Sequence, residues 1–411
     1  MVKNLISGCP TIVDLTSSEQ LDLIRHKANY LLDTELNTQE LSEMEEVLIS
    51  DSSTVSPMAP LAVKLARSKR FVNAVQKPLK ISVVFAVYKE HHRIRTKEEH
   101  PHGEAFLLRK TSQLDWLFAD TMVDWEMIIV DDGCPEGSGK IAQEIIDKNP
   151  LSEKVEVLFL QDAIDHDLKV TEGLKSTGDS RKGGSIAYGM WHASQKETTT
   201  DHIIVYTDAD LSTHLGQVGL MLEPILKQGK AVAIGSRRET DSVVVKSSSR
   251  NDRGKLFIYL WKRLIPTLDF LIDTQCGFKA FTVDTVRSII DGLVERKFAF
   301  DIELLLKSEL RNAHSIAKVG IAWIDSEEAS TTTDLQPYHA MLNAIASMYR
   351  KYLPSNSESD SFACFIESLK EDDFQLLLEH IPSGITSREP VEFASFTGVS
   401  ATDLNDAVKM T

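Results

Sequence analysis

Asp208 and Asp210 stand two positions apart in "IIVYTDADLST", directly after an apolar run. Along an extended chain alternate side chains share a face, so two carboxylates at this spacing reach one point from the end of a buried strand. Hard divalent cations such as Mg²⁺ and Mn²⁺ prefer such oxygen donors and keep positions open for water or phosphate. A polar surface turn is the plain alternative, and the strand in front of the triplet weighs against it.

Other chemistry-bearing residues also follow apolar runs. "ISVVFAVYKE" ends in Tyr88, Lys89 and Glu90, and "WEMIIVDDGCPEGSG" delivers Asp131 and Asp132 to a turn where Ser138 can cap the next helix. "DSRKGGSIAYGM" brings Arg181, Lys182, Gly183 and Gly184 to a helix start, whose free N–H groups favour phosphate. Neither GxxxxGK[ST] nor GxGxxG spacing is present, so P-loop ATPases and dinucleotide enzymes gain no support. Arg237, Arg238, Arg250 and Arg253 flank a serine-rich loop, and a subset can grip a diphosphate through bidentate contacts. "DTQCGFKAF" sets Asp273, Gln275, Cys276 and Lys279 between apolar anchors; Cys276 reads as a small buried hydrophobe rather than a nucleophile. "FAFDIELLLKSEL" starts a helix in which Asp301 can cap backbone donors and Glu303 sits in the first turn.

The elements that position these groups follow from periodicity. Short apolar runs alternating with helical segments from Ile81 to about Ile324 ("ISVVFAV", "WEMIIV", "VEVLFL", "HIIVY", "AVAIGS", "IAKVGIAW") are the spacing of an α/β sheet. Three regions are expected: a helical N-terminal extension over 1–78, the α/β domain over 79–331 and a mainly helical C-terminal extension over 332–411. The segment "LQDAIDHDLKVTEGLKSTGDS" before RKGG reads either as a cover over an acceptor site or as a surface insertion.

Composition narrows the classes. The chain has 411 residues, 42% of them hydrophobic, with 61 acidic against 45 basic residues and a net charge of −16. That is enough for a large core, and it argues against a general nucleic-acid surface while leaving room for a local basic pocket. Four scattered cysteines without a CxxC pair fit neither a disulfide scaffold nor a thiolate zinc site and suit a reducing cytoplasm. No run reaches the 18 apolar residues of a membrane span. The most apolar stretch, 257–272, carries Lys262, Arg263 and Pro266 and reads as a partly buried helix and turn, or else as a membrane-surface segment.

Taken together, "VYKE", "IIVDDG", "RKGGSIAYGM" and "YTDADLS" occur in an order that resembles the family 2 nucleotide-sugar glycosyltransferases. "GSRRE", "SSSRNDRGKLF", "DTQCGFKAF" and "FAFDIELLLKSEL" look most like the dolichyl-phosphate β-glucosyltransferase subgroup, with polyprenyl-phosphate mannosyltransferases next. The likeness covers about residues 81–330.

That resemblance implies an α/β fold of the GT-A, Rossmann-like type with helical N- and C-terminal extensions. It implies a nucleotide-sugar site formed by Tyr88, Glu90, Asp131, Asp132, Lys182, Gly183, Asp208 and Arg237. Acceptor or diphosphate contacts fall to Arg250, Arg253, Asp273, Gln275 and Lys279. A Mg²⁺ or Mn²⁺ falls to Asp208 and Asp210, with Ser212 and His214 as further ligands. Asp301 is the first candidate for general base and Glu303 the second.

The implied reaction is inverting transfer of a hexose to a hydroxyl or phosphate acceptor, with UDP-glucose the favoured donor and GDP-mannose second; the polar N-terminal region, where the resembled enzymes carry a hydrophobic anchor, makes a soluble acceptor the expectation. The expected setting is cytoplasmic, with a position peripheral to a membrane as the alternative, and the terminal helices are available for homo-oligomerisation. One alternative is a polyprenyl- or dolichyl-phosphate glucosyl- or mannosyltransferase working at a membrane surface. Another is a noncatalytic nucleotide-sugar-binding or interaction protein, which tight donor binding without turnover would distinguish. A phosphatase using DxD is weaker, because its nucleophilic Asp belongs in an early strand motif.

Overall fold

A computed structural model describes residues 2–51, 53–246, 251–325 and 337–409. Seven strands form the main sheet: β1 (Leu79–Val87), β2 (Val123–Asp131), β3 (Val155–Phe159), β4 (Asp201–Thr207), β5 (Val232–Ser236), β7 (Phe278–Thr282) and β8 (Ile316–Gly320). β6 (Val243–Val245) and β9 (Ala322–Ile324) form a separate parallel pair. The order in the main sheet is β3-β2-β1-β4-β7-β5-β8, parallel except for β7, which runs antiparallel to both neighbours. This is the α/β, GT-A-type arrangement expected from the sequence.

The expected apolar runs are all strands, with local changes. "IAKVGIAW" is split at Ile321 between β8 and β9, so one run serves both sheets. β7 was hidden in "DTQCGFKAF", where polar residues interrupt the apolar pattern, and β6 is only three residues long.

Alternation along the strands builds two cores. Ile81, Val83 and Phe85 of β1 and Ile203 and Val205 of β4 join Leu61, Leu65 and Val72 of the helix Met58–Asn73 and Leu107 and Leu114 of the helix Phe106–Phe118. Val84 of β1 and Ile204 and Tyr206 of β4 face the other way, into a core shared with the helices Gly183–Gln195, Asn251–Leu264 and Phe300–Arg311 and the C-terminal helices. Both helical extensions therefore bury apolar surface in common with the sheet. The buried Lys64 fastens the N-terminal layer: Nζ lies 2.5 Å from Glu45 and donates to the Gly320 carbonyl at 2.7 Å.

The 257–272 segment is not a free apolar surface. In the helix Asn251–Leu264, Phe257, Ile258, Tyr259, Leu260 and Trp261 are buried, and the C-terminal helices Tyr338–Tyr352 and Ser357–Ser368 pack in the same core. Its reading as a membrane-surface element is corrected accordingly. Among the described residues no helix is long and apolar enough to cross a membrane.

Candidate functional site

The parallel strands β1, β2 and β4 end along one edge. Val87 lies opposite Asp131 and Val84 opposite Tyr206, so Tyr88 and Asp132 emerge side by side and Asp208 leaves β4 slightly short of them along the same edge. The extended chain stops at Thr207 and bends at Ala209, so Asp208 and Asp210 are brought together by a turn rather than by strand alternation. Asp208 N–H donates to the Gly277 carbonyl at 3.1 Å. A Cβ on Gly277 would sit 2.3 Å from both Asp208 carboxylate oxygens, so only glycine leaves room for this carboxylate.

Asp208 forms an ion pair with Lys182. Burial acts against its ionisation, but Lys182, Lys110 and Lys279 hold the carboxyl below its ordinary value. Burial and the like charge of Asp208 push Asp210 up, with Arg93 and Lys110 opposing. Asp210 Oδ1 accepts the Ser212 N–H at 3.0 Å, while the buried Ser212 hydroxyl has no partner among the described residues.

Two like-charged carboxylates with an unpartnered hydroxyl nearby fit a Mg²⁺ or Mn²⁺ that draws its remaining ligands from water and phosphate. Among the described residues no three His, Cys, Asp or Glu side chains are grouped to hold a metal unaided. The expected contribution of His214 is corrected. Its Nδ1 accepts the Gly216 N–H at 2.9 Å, and its ring lines a cavity against the N-terminal layer instead.

Lys182 has φ 74°, and its backbone N–H donates to Asp132 Oδ2 at 2.8 Å; Ser185 Oγ donates to Asp132 Oδ1 at 2.7 Å. Asp132 thus fixes the turn that aims Lys182 at Asp208. Gly184 N–H donates to the Arg296 carbonyl at 2.9 Å, and a Cβ on Gly183 would lie 2.5 Å from the Lys297 carbonyl. The expected phosphate cradle at this helix start is therefore partly taken up by protein, and the glycines serve close packing against the segment before Asp301.

Asp131 also has a local task. Its oxygens accept the N–H groups of Cys134 (2.9 Å) and Gly139 (2.7 Å), so Asp131 caps the helix Ser138–Lys148 in place of Ser138. Ser138 Oγ instead accepts the Glu90 N–H at 2.9 Å. Tyr88 is exposed at the edge, its ring flanked by the Arg181 guanidinium at 6.0 Å and Lys89 Nζ at 5.7 Å.

Asp301 does not cap its helix. It is buried and accepts hydrogen bonds from Tyr206 Oη and, at 2.6 Å, from Lys279 Nζ. Lys279 also donates to the Cys276 carbonyl at 2.6 Å and is sealed from solvent, so its expected contact with acceptor or diphosphate is corrected to a contact with Asp301. Burial, followed by Asp301, pushes the Tyr206 phenol well above its ordinary value and keeps it a donor.

Glu303 points to different partners: the N–H groups of Val294 (2.6 Å) and Glu295 (2.8 Å) and the hydroxyl of Tyr352 (2.6 Å). It ties a loop to the C-terminal extension, and the expectation of a second base is corrected to this. Arg237 and Asp273 are also turned to each other, in a bidentate pair at 2.8 and 2.7 Å. Against the effect of burial, that pairing raises the guanidinium and drops the carboxyl well below the carboxylate range. The buried amide nitrogen of Gln275 has no partner among the described residues, and Arg253 is exposed. Arg250 lies outside the described residues. Burial pushes the Cys276 thiol up to about 12, in keeping with its reading as a small hydrophobe.

Sequence reasoning missed four members of this edge: Arg93, Glu104, Lys110 and Tyr206. Arg93 pairs with Glu104 at 3.0 Å and with Glu90 at 3.1 Å. Burial, reinforced by Asp210 and Glu104 against the pull of Arg93, raises Glu90 to about 7. Lys110 is fully buried with no hydrogen-bond partner among the described residues, and burial lowers it to about 8 although Asp210 and Asp208 oppose this. Its sequence signal was available: it falls between Leu107 and Leu114 on the buried stripe of its helix, where an unpaired lysine needs a reason.

Residues 112–286 match the sequence model of Glycosyl transferase family 2. Among curated relatives, the dolichyl-phosphate beta-glucosyltransferase of Dictyostelium discoideum is 28% identical over 253 residues, covering 60% of this chain and 66% of that protein. The Homo sapiens protein of the same name is 29% identical over 218 residues, covering 51% of this chain and 58% of its own length. The chain thus spans under two thirds of the length of both. A solved structure of glucosyl-3-phosphoglycerate synthase from Mycobacterium tuberculosis superposes with a TM-score of 0.45 at 16% identity, covering 72% of this chain and 86% of that one.

Proposed function

We propose that the protein is an inverting hexosyltransferase that moves a hexose, glucose first, from a nucleotide sugar to a hydroxyl or phosphate acceptor and leaves a β linkage. Support comes from the family match over 112–286 and from the names of the curated relatives. The carrying observation is the strand edge itself, where Lys182 pairs with Asp208 next to Asp210, and the buried Asp301 is held by Lys279 and Tyr206.

In this reading the Tyr88 ring and Arg181 flank the base, Glu90 meets the ribose, and Asp208 and Asp210 hold a Mg²⁺ or Mn²⁺. Once bound, the cation neutralises charge on the departing diphosphate. Lys182 orients the sugar end of the donor. Asp301, oriented by Lys279 and Tyr206, takes the proton of a hydroxyl acceptor as its oxygen attacks the anomeric carbon and the bond to the diphosphate breaks. A phosphate acceptor is already ionised and needs little help from Asp301.

The test begins with melting temperatures in UDP-glucose, GDP-mannose and UDP-GlcNAc, with and without Mn²⁺ or Mg²⁺, because a ligand that binds the native state raises the midpoint by mass action. A selective, metal-dependent rise is expected, and the absence of a rise with any donor would overturn the site reading. Normal turnover of Asp210→Asn at saturating metal would remove its metal role. Unchanged turnover of Asp301→Asn on a hydroxyl acceptor would remove it as base.

The relatives' names favour a second reading, transfer to a polyprenyl phosphate at a membrane surface. Sedimentation with liposomes carrying the acceptor lipid, and no turnover on soluble acceptors, would select it.

A further inference from the structure

Away from the strand edge, a cavity of about 650 Å³ lies between the helix Ser18–Leu32, the 96–105 loop and the helix Phe106–Phe118. That volume suits a small molecule. Four hydrogen-bond donors meet on its wall. Ser17 and Ser18 bring the N-terminus of a 15-residue helix, whose first N–H groups carry partial positive charge. Arg109 is held by a bond from its guanidinium to Ser18 Oγ at 3.0 Å, and its buried Nε has no partner among the described residues. Gln113, 6% exposed, gives its carbonyl oxygen to Leu215 N–H at 2.8 Å, leaving its amide N–H groups for the cavity. His214, 5% exposed, accepts at Nδ1 from Gly216, so its proton sits at Nε2, which has no partner among the described residues.

The carboxylates around the same cavity each have a local partner or lie at the rim. Asp22 pairs with Arg25 at 2.7 Å, Glu104 pairs with Arg93 at 3.0 Å, and Asp14 accepts the Thr16 N–H at 2.7 Å. Glu98 is exposed at the rim. Burial lowers Arg109 below its ordinary value even with Asp14, Glu104 and Asp22 in its field. Desolvated donors without acceptors are costly unless a ligand satisfies them.

The geometry points to a second ligand site here, for a small phosphate or phosphate-monoester anion, seated on the helix N-terminus, Arg109, Gln113 and His214. It is separate from the DAD edge and does not depend on which acceptor the transfer reaction uses.

The test titrates the full chain, free of nucleotide, with inorganic phosphate, ribose 5-phosphate and uncharged ribose while tryptophan fluorescence is followed. Trp116 lines the cavity and is the reporter, so the signal should vanish in Trp116→Phe. Saturable binding of the anions but not of ribose is expected. Preference for the ester would identify an organic phosphate, and equal binding a free-phosphate pocket. Arg109→Gln should weaken binding about tenfold or more, the size of a lost charge-assisted contact, and Arg109→Lys less so. A melting curve of each variant reports whether it is folded. No saturable anion binding, an equal response to ribose, or wild-type affinity in both Arg109 variants would overturn the site.

Discussion

Lys279 Nζ lies 2.6 Å from Asp301 Oδ1, with the two side chains 0% and 4% exposed. A pair this deeply buried is strongly destabilised by removal of one partner, on the order of 3–5 kcal/mol, because the other charge is left uncompensated. Lys279→Met and Asp301→Asn should therefore each lower the melting temperature. The double variant should recover much of the loss without regaining transfer to a hydroxyl acceptor. A double-mutant cycle on stability, run beside turnover, separates the two roles. Additive losses of stability would show that the pair is not coupled.

Gly277 offers a sharper probe of the donor edge. Alanine there places its Cβ 2.3 Å from the Asp208 oxygens, a contact that only displacement of the carboxylate relieves. Gly277→Ala should weaken donor-dependent stabilisation. Gly254, in the helix Asn251–Leu264, has nothing within 4 Å of its would-be Cβ. Gly254→Ala should leave donor binding alone and stabilise by about 0.5–1 kcal/mol through helix propensity. Equal donor responses in the two variants would contradict the steric argument.

How far the sequence could be read depended on whether a feature is local. Asp208 and Asp210 were legible because an apolar strand and a carboxylate triplet are continuous in the chain. Asp301 and Glu303 were not separable, because two positions on one helix reach different surroundings only once Lys279 and Tyr352 are placed by distant segments. His214 was assigned by proximity in sequence, and the bend after Thr207 carried its ring towards the N-terminal layer. Arg93 and Glu104 are eleven positions apart in a loop without periodicity, so no pattern announced their pairing. The apolar 257–272 stretch could not reveal its own cover, since the residues that bury it lie roughly a hundred positions later.

A pH dependence follows from His202 at the far end of the sheet. Ser82 Oγ donates to Glu126 Oε1 at 2.6 Å, so His202 Nε2, 2.7 Å from Ser82 Oγ, must carry a proton and donate to it. Nδ1 is buried with no partner among the described residues, and burial lowers the ring from 6.5 to about 4. The unfolded chain binds this proton at higher pH than the native chain does. Stability from the neutral ring is thus fully present above 6.5 and falls as pH drops towards 4, by on the order of 3 kcal/mol. Denaturant unfolding across that window should show the slope, and His202→Gln should flatten it. An unchanged slope in the variant would assign the effect to other groups.

The C-terminal helices are bound to the helix Asn251–Leu264 by specific polar contacts as well as by burial. Tyr259 Oη donates to the Val399 carbonyl at 2.6 Å, Lys255 Nζ to the Thr386 carbonyl at 3.0 Å, and Ser359 Oγ to the Arg263 carbonyl at 2.7 Å. The Tyr259 ring meets Phe362 and Phe393 edge-on, at 75° and 82°. Tyr259→Phe should cost about 1 kcal/mol, the net value of one hydrogen bond. Phe393→Ala should cost about 3–5 kcal/mol, because it opens a cavity under that ring. Deleting 337–409 uncovers Phe257, Ile258 and Trp261 together and should produce binding of a hydrophobic dye and sedimentation with anionic liposomes that the intact chain lacks. If the intact chain sediments equally well, its membrane contact lies on another surface and the C-terminal cover is not what withholds this helix from lipid.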